Sequence, residues 1–373
     1  MEDTTNQIRV LQIGMHDKIG GIETFLMNYY RNINKKGIQF DFVTMFDSIC
    51  FEEEIKQLGG RVYKVTNVKK NPLKYYSQLK KIMEENKYRI VHINMLSLAN
   101  IIPIIVAKRA KVENIIIHSH NTSTPHGIIR KLLDKFNKKI AVNNATELFA
   151  CSELAGKWMF EKEKDFIVIN NAIDLNNYKF NPSIRDKIRQ ELKIENKFVV
   201  GHIGRFSEQK NHKFLIEIFR EVSKKEPNAI LLLIGDGELK EEIKNLVNKY
   251  ELNEKVIFID SVSNANEYYQ AMDIFVLPSL FEGLPVVGIE AQASGTNCIF
   301  SDTITKELEL TNFVKFISID DDSKGKWVEE IIKNKNRGKN EVCNTKLSQN
   351  YNIAREAKRM MSIYKSLIKE KSK

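Results

Sequence analysis

Cysteine is scarce and scattered in this chain. The four residues, Cys50, Cys151, Cys298 and Cys343, form no CxxC pair and no metal-ligand spacing. That excludes a disulfide scaffold or a zinc ribbon and predicts reduced, mostly buried thiols. Long apolar runs are missing too. The most apolar window, 101–107, falls far short of the ~20 residues that a membrane-spanning helix needs. The opening MEDTTNQIRVLQIG is polar and runs straight into a strand-like segment, so no secretory signal and a cytoplasmic protein are expected. There is no internal repeat, no low-complexity tract and no RNA- or DNA-binding motif, so no nucleic-acid partner is expected. No Gly-Lys-Ser/Thr follows a glycine loop, and no full GxGxxG occurs. The one DxD-like string, Asp320-Asp321-Asp322, lies late, between a strand and a Lys-rich helix. It reads as a surface loop, and no metal is expected.

What is present is a soluble-type composition, 42% hydrophobic and 28% charged, over 373 residues. That length is too great for one ordinary core and predicts two domains. The net charge of +10 is unevenly placed. Residues 61–140 hold 17 Lys and Arg against four acids, a local excess of 13, so the remainder is slightly acidic. Within that region 128–140 reads IIRKLLDKFNKKI, with Ile128, Ile129, Leu132, Leu133, Phe136 and Ile140 on one helical face and the cations on the rest. Such a helix ordinarily packs its apolar face on a sheet and solvates its lysines. The wider excess favours attraction to an anionic surface, and without aromatic interleaving lipid is preferred to nucleic acid.

Apolar β-type runs alternate with helical patterns from end to end, which predicts parallel sheets with crossover helices. Strands are expected at 9–13, 40–45, 62–65, 90–93, 114–118, 147–150 and 166–169. A polar stretch, 170–181, followed by Pro182, reads as a crossing between domains. A second series is expected at 198–203, 230–234, 256–259, 274–277, 297–300 and 314–317. A Lys-rich helix over 348–368 comes last.

Five motifs carry candidate chemistry. Strand 198–203 ends in Gly204-Arg205, with Lys210 just before the next helix. Two cations over a helix N-terminus can neutralise a diphosphate and stabilise it as a leaving group. Residues 275–295, FVLPSLFEGLPVVGIEAQASG, set Glu282, Gly283 and Leu284 ahead of a helix whose first turn suits Pro285 and whose second turn carries Glu290. Eight residues of helical rise span roughly 12 Å, about the reach from a nucleotide's ribose to the sugar on its diphosphate. Gly20-Gly21 opens a helix after the first strand, where backbone N–H groups can approach an anion or a reacting oxygen. Strand 114–118 runs into the string His118 to Ser123, HSHNTS, with the two histidines expected on opposite sides of the strand. Gly235 and Gly237 follow strand 230–234, where they permit close approach to a base or ribose.

The Glu-x7-Glu stretch resembles the signature of the retaining, GT-B-fold glycosyltransferases of family four, and Gly204, Arg205 and Lys210 match that family's phosphate loop one for one. The HSHNTS string is similar to exopolysaccharide and capsular members. The resemblance implies an α/β protein of two Rossmann-like domains facing across a cleft, an N-terminal acceptor-side domain over 1–175 and a nucleotide-sugar domain over 176–349. A C-terminal helix, about 350–373, would cross back to the first domain. It implies a nucleotide-sugar donor, with UDP-sugar favoured, and a lipid-linked saccharide acceptor at the membrane's inner face. In that picture Glu282 holds donor-sugar hydroxyls, Glu290 holds the ribose, Arg205 and Lys210 grip the phosphates, and His120 contacts the donor sugar while His118 is structural. Gly20, Gly21 and Gly235 line the ligand, and Val262, in the segment after strand 256–259, gives backbone contacts to the base. Asn171-Ala172-Ile173-Asp174 stands where the family usually has Asn-Gly-Val/Ile-Asp. Two rivals are a nucleotide-sugar epimerase of the same fold and a non-catalytic partner subunit.

Overall fold

The computed structural model describes residues 7–122, 127–160, 165–342 and 346–370. Cys343 and Ser123, the last residue of the HSHNTS string, lie outside them. The chain divides into two compact units, one of residues 1–172 with 353–373 and one of residues 173–352.

The first unit is built on seven parallel strands, β1 (Ile8–Ile13), β2 (Ile38–Thr44), β3 (Val62–Lys64), β4 (Ile90–Met95), β5 (Asn114–Ser119), β6 (Glu147–Ala150) and β7 (Ile167–Val168). Their order is β3-β2-β1-β4-β5-β6-β7. β1 pairs with β2 through Ile8 opposite Ile38, and with β4 through Val10 opposite Ile90. Strands β2, β4 and β5 are buried along their whole length. A parallel sheet covered on both faces favours apolar residues, and the polar ones buried in these strands are hydrogen-bonded, Asp41 to Tyr88, His92 to Tyr364 and Asn94 to Gln12. The helix Gly21–Asn32 buries Phe25, Leu26, Tyr29 and Tyr30 against Phe40 and Phe42 of β2. The same core takes Ile353, Ala357, Met360 and Tyr364 from the helix Ile353–Glu370, so residues remote in sequence complete the first unit.

The second unit has six parallel strands, β8 (Phe198–Ile203), β9 (Ala229–Ile234), β10 (Val256–Ile259), β11 (Ile274–Leu277), β12 (Asn297–Ser301) and β13 (Val314–Ile317). Their order is β10-β9-β8-β11-β12-β13. The helix His212–Lys225 packs Phe214, Leu215, Ile218 and Phe219 with Trp327 and Val328 of the helix Lys324–Lys333. Trp327 Nε1 donates to the Ser318 carbonyl at 2.8 Å, which satisfies the one polar atom of a buried indole. The polar stretch after β7 holds a short helix, Leu175–Tyr178, started by the Asp174 side chain. Pro182 then opens the helix Pro182–Glu191, capped by Asn181. Ala172 is fully buried without a left-handed backbone, so alanine meets this turn's demands where the related pattern has glycine.

In each sheet the strand order reverses beside the first strand, between β1 and β4 and between β8 and β11. Loops leaving the carboxyl ends on either side of such a reversal diverge and leave a crevice, the place where open α/β sheets bind ligands. Gly204–Lys210 leaves β8 and Ser279–Glu282 follows β11. Gly14 leaves β1, and Asn94 lies at the end of β4.

Candidate active site

The two loops of the second unit are stitched together by side chains. Lys210 Nζ donates to Glu282 Oε1 at 2.6 Å, with side-chain exposures of only 14% and 10%. Gln209 Nε2 donates to Glu282 Oε2 at 3.1 Å and to the Phe281 carbonyl at 2.9 Å, and the Leu280 N–H returns a bond to the Gln209 carbonyl. Glu282 is therefore held at both oxygens. Gln209 carries no chemistry of its own and offers no motif, which is why sequence reasoning passed over it. Arg205 differs from Lys210: it is 63% exposed and pairs with Glu238 at 3.0 Å. A solvent-exposed ion pair is worth little, so this guanidinium exchanges partners readily.

Glycine at 235 and 237 has a packing cause. Both residues have positive φ, +147° and +159°, and a Cβ at Gly235 would lie 2.1 Å from the Gly204 carbonyl oxygen. A Cβ at Gly237 would sit 2.4 Å from the Phe206 carbonyl oxygen. The β9 loop presses its backbone on the β8 loop and so sets the height of Gly204 and Arg205. Lys240, from the following helix, donates to the Gly235 carbonyl at 3.1 Å and pairs with Asp260. Val262, after β10, is half-buried.

Gly283 and Leu284 are buried, and Pro285 adopts an extended backbone as the N-cap of the helix Val286–Ala293. The helix thus starts one residue later than the proline pattern predicts. Glu290 is buried, with its Oε1 accepting from Tyr178 at 2.7 Å and its Oε2 from Tyr269 at 2.8 Å. Burial raises its pKa, and the two tyrosine hydroxyls oppose that rise. Neither tyrosine was legible as a site residue: Tyr178 lies in the polar crossing, and Tyr269 reads as a core aromatic.

In the first unit the expected geometry of the two histidines is corrected. His118 and His120 do not face opposite sides: their ring centroids are 4.0 Å apart, as residues two apart along an extended chain require. Phe25 abuts both rings edge-on. His118 Nδ1 bonds His92 Nε2 at 3.1 Å, and His92 Nδ1 bonds the Tyr364 hydroxyl at 2.7 Å. His120 Nε2 meets Asn94 Oδ1 at 2.9 Å. Asn94 Nδ2 donates to the Ile13 carbonyl and to Gln12 Oε1, both at 3.2 Å, and Gln12 Nε2 closes a circuit on the Tyr364 hydroxyl at 3.4 Å.

The Ile13 carbonyl can only accept, so it orients the Asn94 amide and with it the Gln12 amide and the His120 tautomer. His120 carries its proton on Nε2 and keeps a lone pair on Nδ1. Gln12 donates to Tyr364, whose hydroxyl shares a hydrogen bond with His92 Nδ1, as His92 Nε2 does with His118 Nδ1. His118 Nε2 is buried with no partner among the described residues. Desolvation pushes His92 and His120 down to about 3, and His118 lower than the ordinary range, so all three are neutral.

A carboxyl group of the protein already faces the Gly20-Gly21 loop. Glu23, from the helix it opens, is buried, and its Oε1 accepts from the His16 N–H at 3.0 Å. A Cβ on Gly20 would come 2.9 Å from Glu23 Oε2. Burial raises the Glu23 pKa, against backbone N–H groups of Glu23, His16 and Gly20 that favour its charge. Backbone groups at the start of this helix thus meet a carboxyl side chain of the protein itself.

Comparison with known proteins accords with this geometry. Residues 19–177 match the model of Glycosyltransferase Family 4, and residues 184–344 that of Glycosyl transferases group 1. EpsF of Bacillus subtilis, named as a glycosyltransferase, is 35% identical over 82% of this chain and 82% of its own length. An Escherichia coli UDP-Gal:alpha-D-GlcNAc-diphosphoundecaprenol alpha-1,3-galactosyltransferase is 24% identical over the whole of both chains. HepE of Anabaena, solved with UDP and glucose, superposes with a TM-score of 0.78 at 19% identity, over 96% of this chain and all of its own. With two Rossmann-like parallel-sheet units of the GT-B class and matches along both, the chain belongs to the glycosyltransferases of family 4, group 1.

Proposed function

We propose that the protein transfers a hexose from a UDP-sugar, with retention and without a metal ion, to a lipid-linked saccharide in surface polysaccharide biosynthesis. The observation that carries this reading is the Lys210–Glu282 contact at the strand-order reversal of the second sheet, with Arg205 on the same loop. An ammonium has three donors and Glu282 uses one of them, so Lys210 can grip a phosphate without releasing its partner. Arg205 is free to leave Glu238 for the diphosphate and to stabilise it as it departs. Glu282, locked at both oxygens, is a rigid acceptor for sugar hydroxyls. Glu290 uses two of about four lone-pair sites on its tyrosines and has capacity left for the ribose. Neutral His120 presents Nδ1 to accept from a sugar hydroxyl. No residue of the second unit's cluster is a free nucleophile, which favours same-face substitution, with the departing phosphate drawing the proton from the acceptor hydroxyl.

Relatives support the substrate classes, since the Escherichia coli galactosyltransferase is named for a UDP-sugar donor and a diphosphoundecaprenol-linked acceptor. The basic excess of 61–140 favours a peripheral position on the inner face of an anionic membrane. The test is thermal protection by UDP-, GDP- and ADP-sugars followed by product analysis with a lipid-linked acceptor. UDP-sugar protection and acceptor-dependent UDP release are expected. Sugar conversion without acceptor would favour an epimerase, and no protection by any of the three would favour a non-catalytic subunit.

A further inference from the structure

The helix Ile128–Asn144 sits on its unit the wrong way round for a globular protein. Its inward contacts are polar. Asp134 accepts from the Leu98 N–H, Asn137 Nδ2 donates to the Leu98 and Ala99 carbonyls, and Lys138 Nζ donates to the Trp158 carbonyl at 2.8 Å. Ala141 is its one fully covered residue. The apolar side chains point the other way: Ile128, Ile129 and Phe136 are 79%, 75% and 73% exposed, and Leu132, Leu133 and Ile140 about half. At roughly 100° per residue the six fall within an arc of about 140°, nearly opposite the pinned side. Sequence periodicity anticipated the stripe, and the ordinary alternative, packing of that stripe on the sheet, is not what the structure shows.

Six contiguous large apolar side chains in water are unfavourable and mark a surface that meets something else. The cations identify it. On the same helical wheel Lys131, Lys135 and Lys139 lie along one edge of the apolar arc and Arg130 along the other. No helix among the described residues is long and apolar enough to cross a membrane. An apolar stripe bordered by Lys and Arg is the pattern of a helix lying in the plane of a lipid–water interface.

We propose that the helix Ile128–Asn144 inserts its outer face, Ile128, Ile129, Leu132 and Phe136 foremost, into an anionic bilayer. The polar contacts of Asp134, Asn137 and Lys138 hold the helix to the unit while its other side enters lipid. This deepens the peripheral placement given above and rests on the lipid-linked acceptor of that reading. It differs from charge attraction alone, which salt abolishes. An inserted face keeps its hold when the charges are screened.

The experiment is flotation of the full chain with phosphatidylglycerol-rich vesicles, at low salt and at about 1 M salt, where the screening length falls to about 3 Å. The wild type is expected to float in both conditions, more weakly in the second. Ile129→Glu with Phe136→Glu should lower partition by about tenfold or more, with an unchanged melting temperature, because neither side chain is covered in the fold. Lys131→Ser with Lys135→Ser should weaken flotation at low salt only. Complete elution of the wild type at high salt, or flotation of the glutamate variant equal to wild type, overturns insertion. Sedimentation showing a dimer that the glutamate variant dissolves, without flotation, would also overturn it and assign the face to a second copy. Thermal protection by UDP-sugar is measured on the same samples. Its absence in the wild type would refute the proposed reaction and leave the flotation result standing.

Discussion

Replacing Lys210 by methionine separates the two roles of the Lys210–Glu282 contact. The pair is 2.6 Å apart and only 14% and 10% exposed. Removing one member of a buried pair leaves an uncompensated charge and costs about 3–5 kcal/mol. Gln209 still holds one Glu282 oxygen, so the lower end, about 3 kcal/mol, is expected for Lys210→Met. For a unit of this size that is a fall of about 6–12 °C in the melting transition of the second unit. Adding Glu282→Gln removes the stranded charge, and the double variant should return to within about 1 kcal/mol of wild type, a coupling of neighbours that single changes do not reveal. Transfer should stay abolished in both, because the phosphate has lost its cation. Scanning calorimetry reads the stability and UDP release from UDP-sugar reads the reaction. A Lys210→Met protein that melts with the wild type refutes the energetic argument. A double variant that transfers at the wild-type rate refutes the assigned roles.

Tyr178→Phe should raise the Glu290 pKa further, since it removes one of the two bonds that oppose burial. The acidic limb of UDP binding, followed by calorimetry against pH, then moves to higher pH, and an unmoved limb would detach Tyr178 from the site. Five histidines, 92, 118, 120, 202 and 212, are buried neutral, with pKa values depressed from 6.5, to about 3 for His92 and His120 and about 4 for His202. The unfolded chain binds protons that the folded chain refuses, so stability is full above pH about 6.5 and is lost as pH falls toward those lower values. Each contributes a slope of up to about 1.4 kcal/mol per pH unit, and urea midpoints between pH 6 and 5 should flatten when His92 is replaced by Gln. Gly235→Ala places a Cβ 2.1 Å from the Gly204 oxygen at positive φ. It should cost a few kcal/mol and weaken UDP binding, and a variant that melts and binds as wild type would show that the β9 loop does not set the phosphate loop.

The strands were the most legible part of the chain. β6, β8, β10, β11 and β13 begin and end where their β-type runs do, because polar or turn-forming residues bound most of these runs. Direction was less legible. The 128–140 periodicity reveals that a stripe exists, but facing depends on contacts such as Asn137 with Leu98, which no local pattern encodes. The same limit hid Tyr178, Tyr269 and Gln209, single side chains whose meaning arises only where distant loops meet. Glu23 carries no signal of its own in the sequence, and only the fold shows its side chain facing the glycine loop. His118 and His120 were recoverable, since residues two apart on a strand share a side.

The helix Ile353–Glu370 supplies Met360 and Tyr364 to the core of the first unit. A ribosome delivers those residues only after all of Ile173–Asn352 has been made. During synthesis the second unit can therefore finish folding while the earlier one still shows a bare apolar strip and an open histidine circuit. The usual order of birth, in which the leading domain folds first, is reversed here. The waiting half of the nascent chain is the natural client for a chaperone.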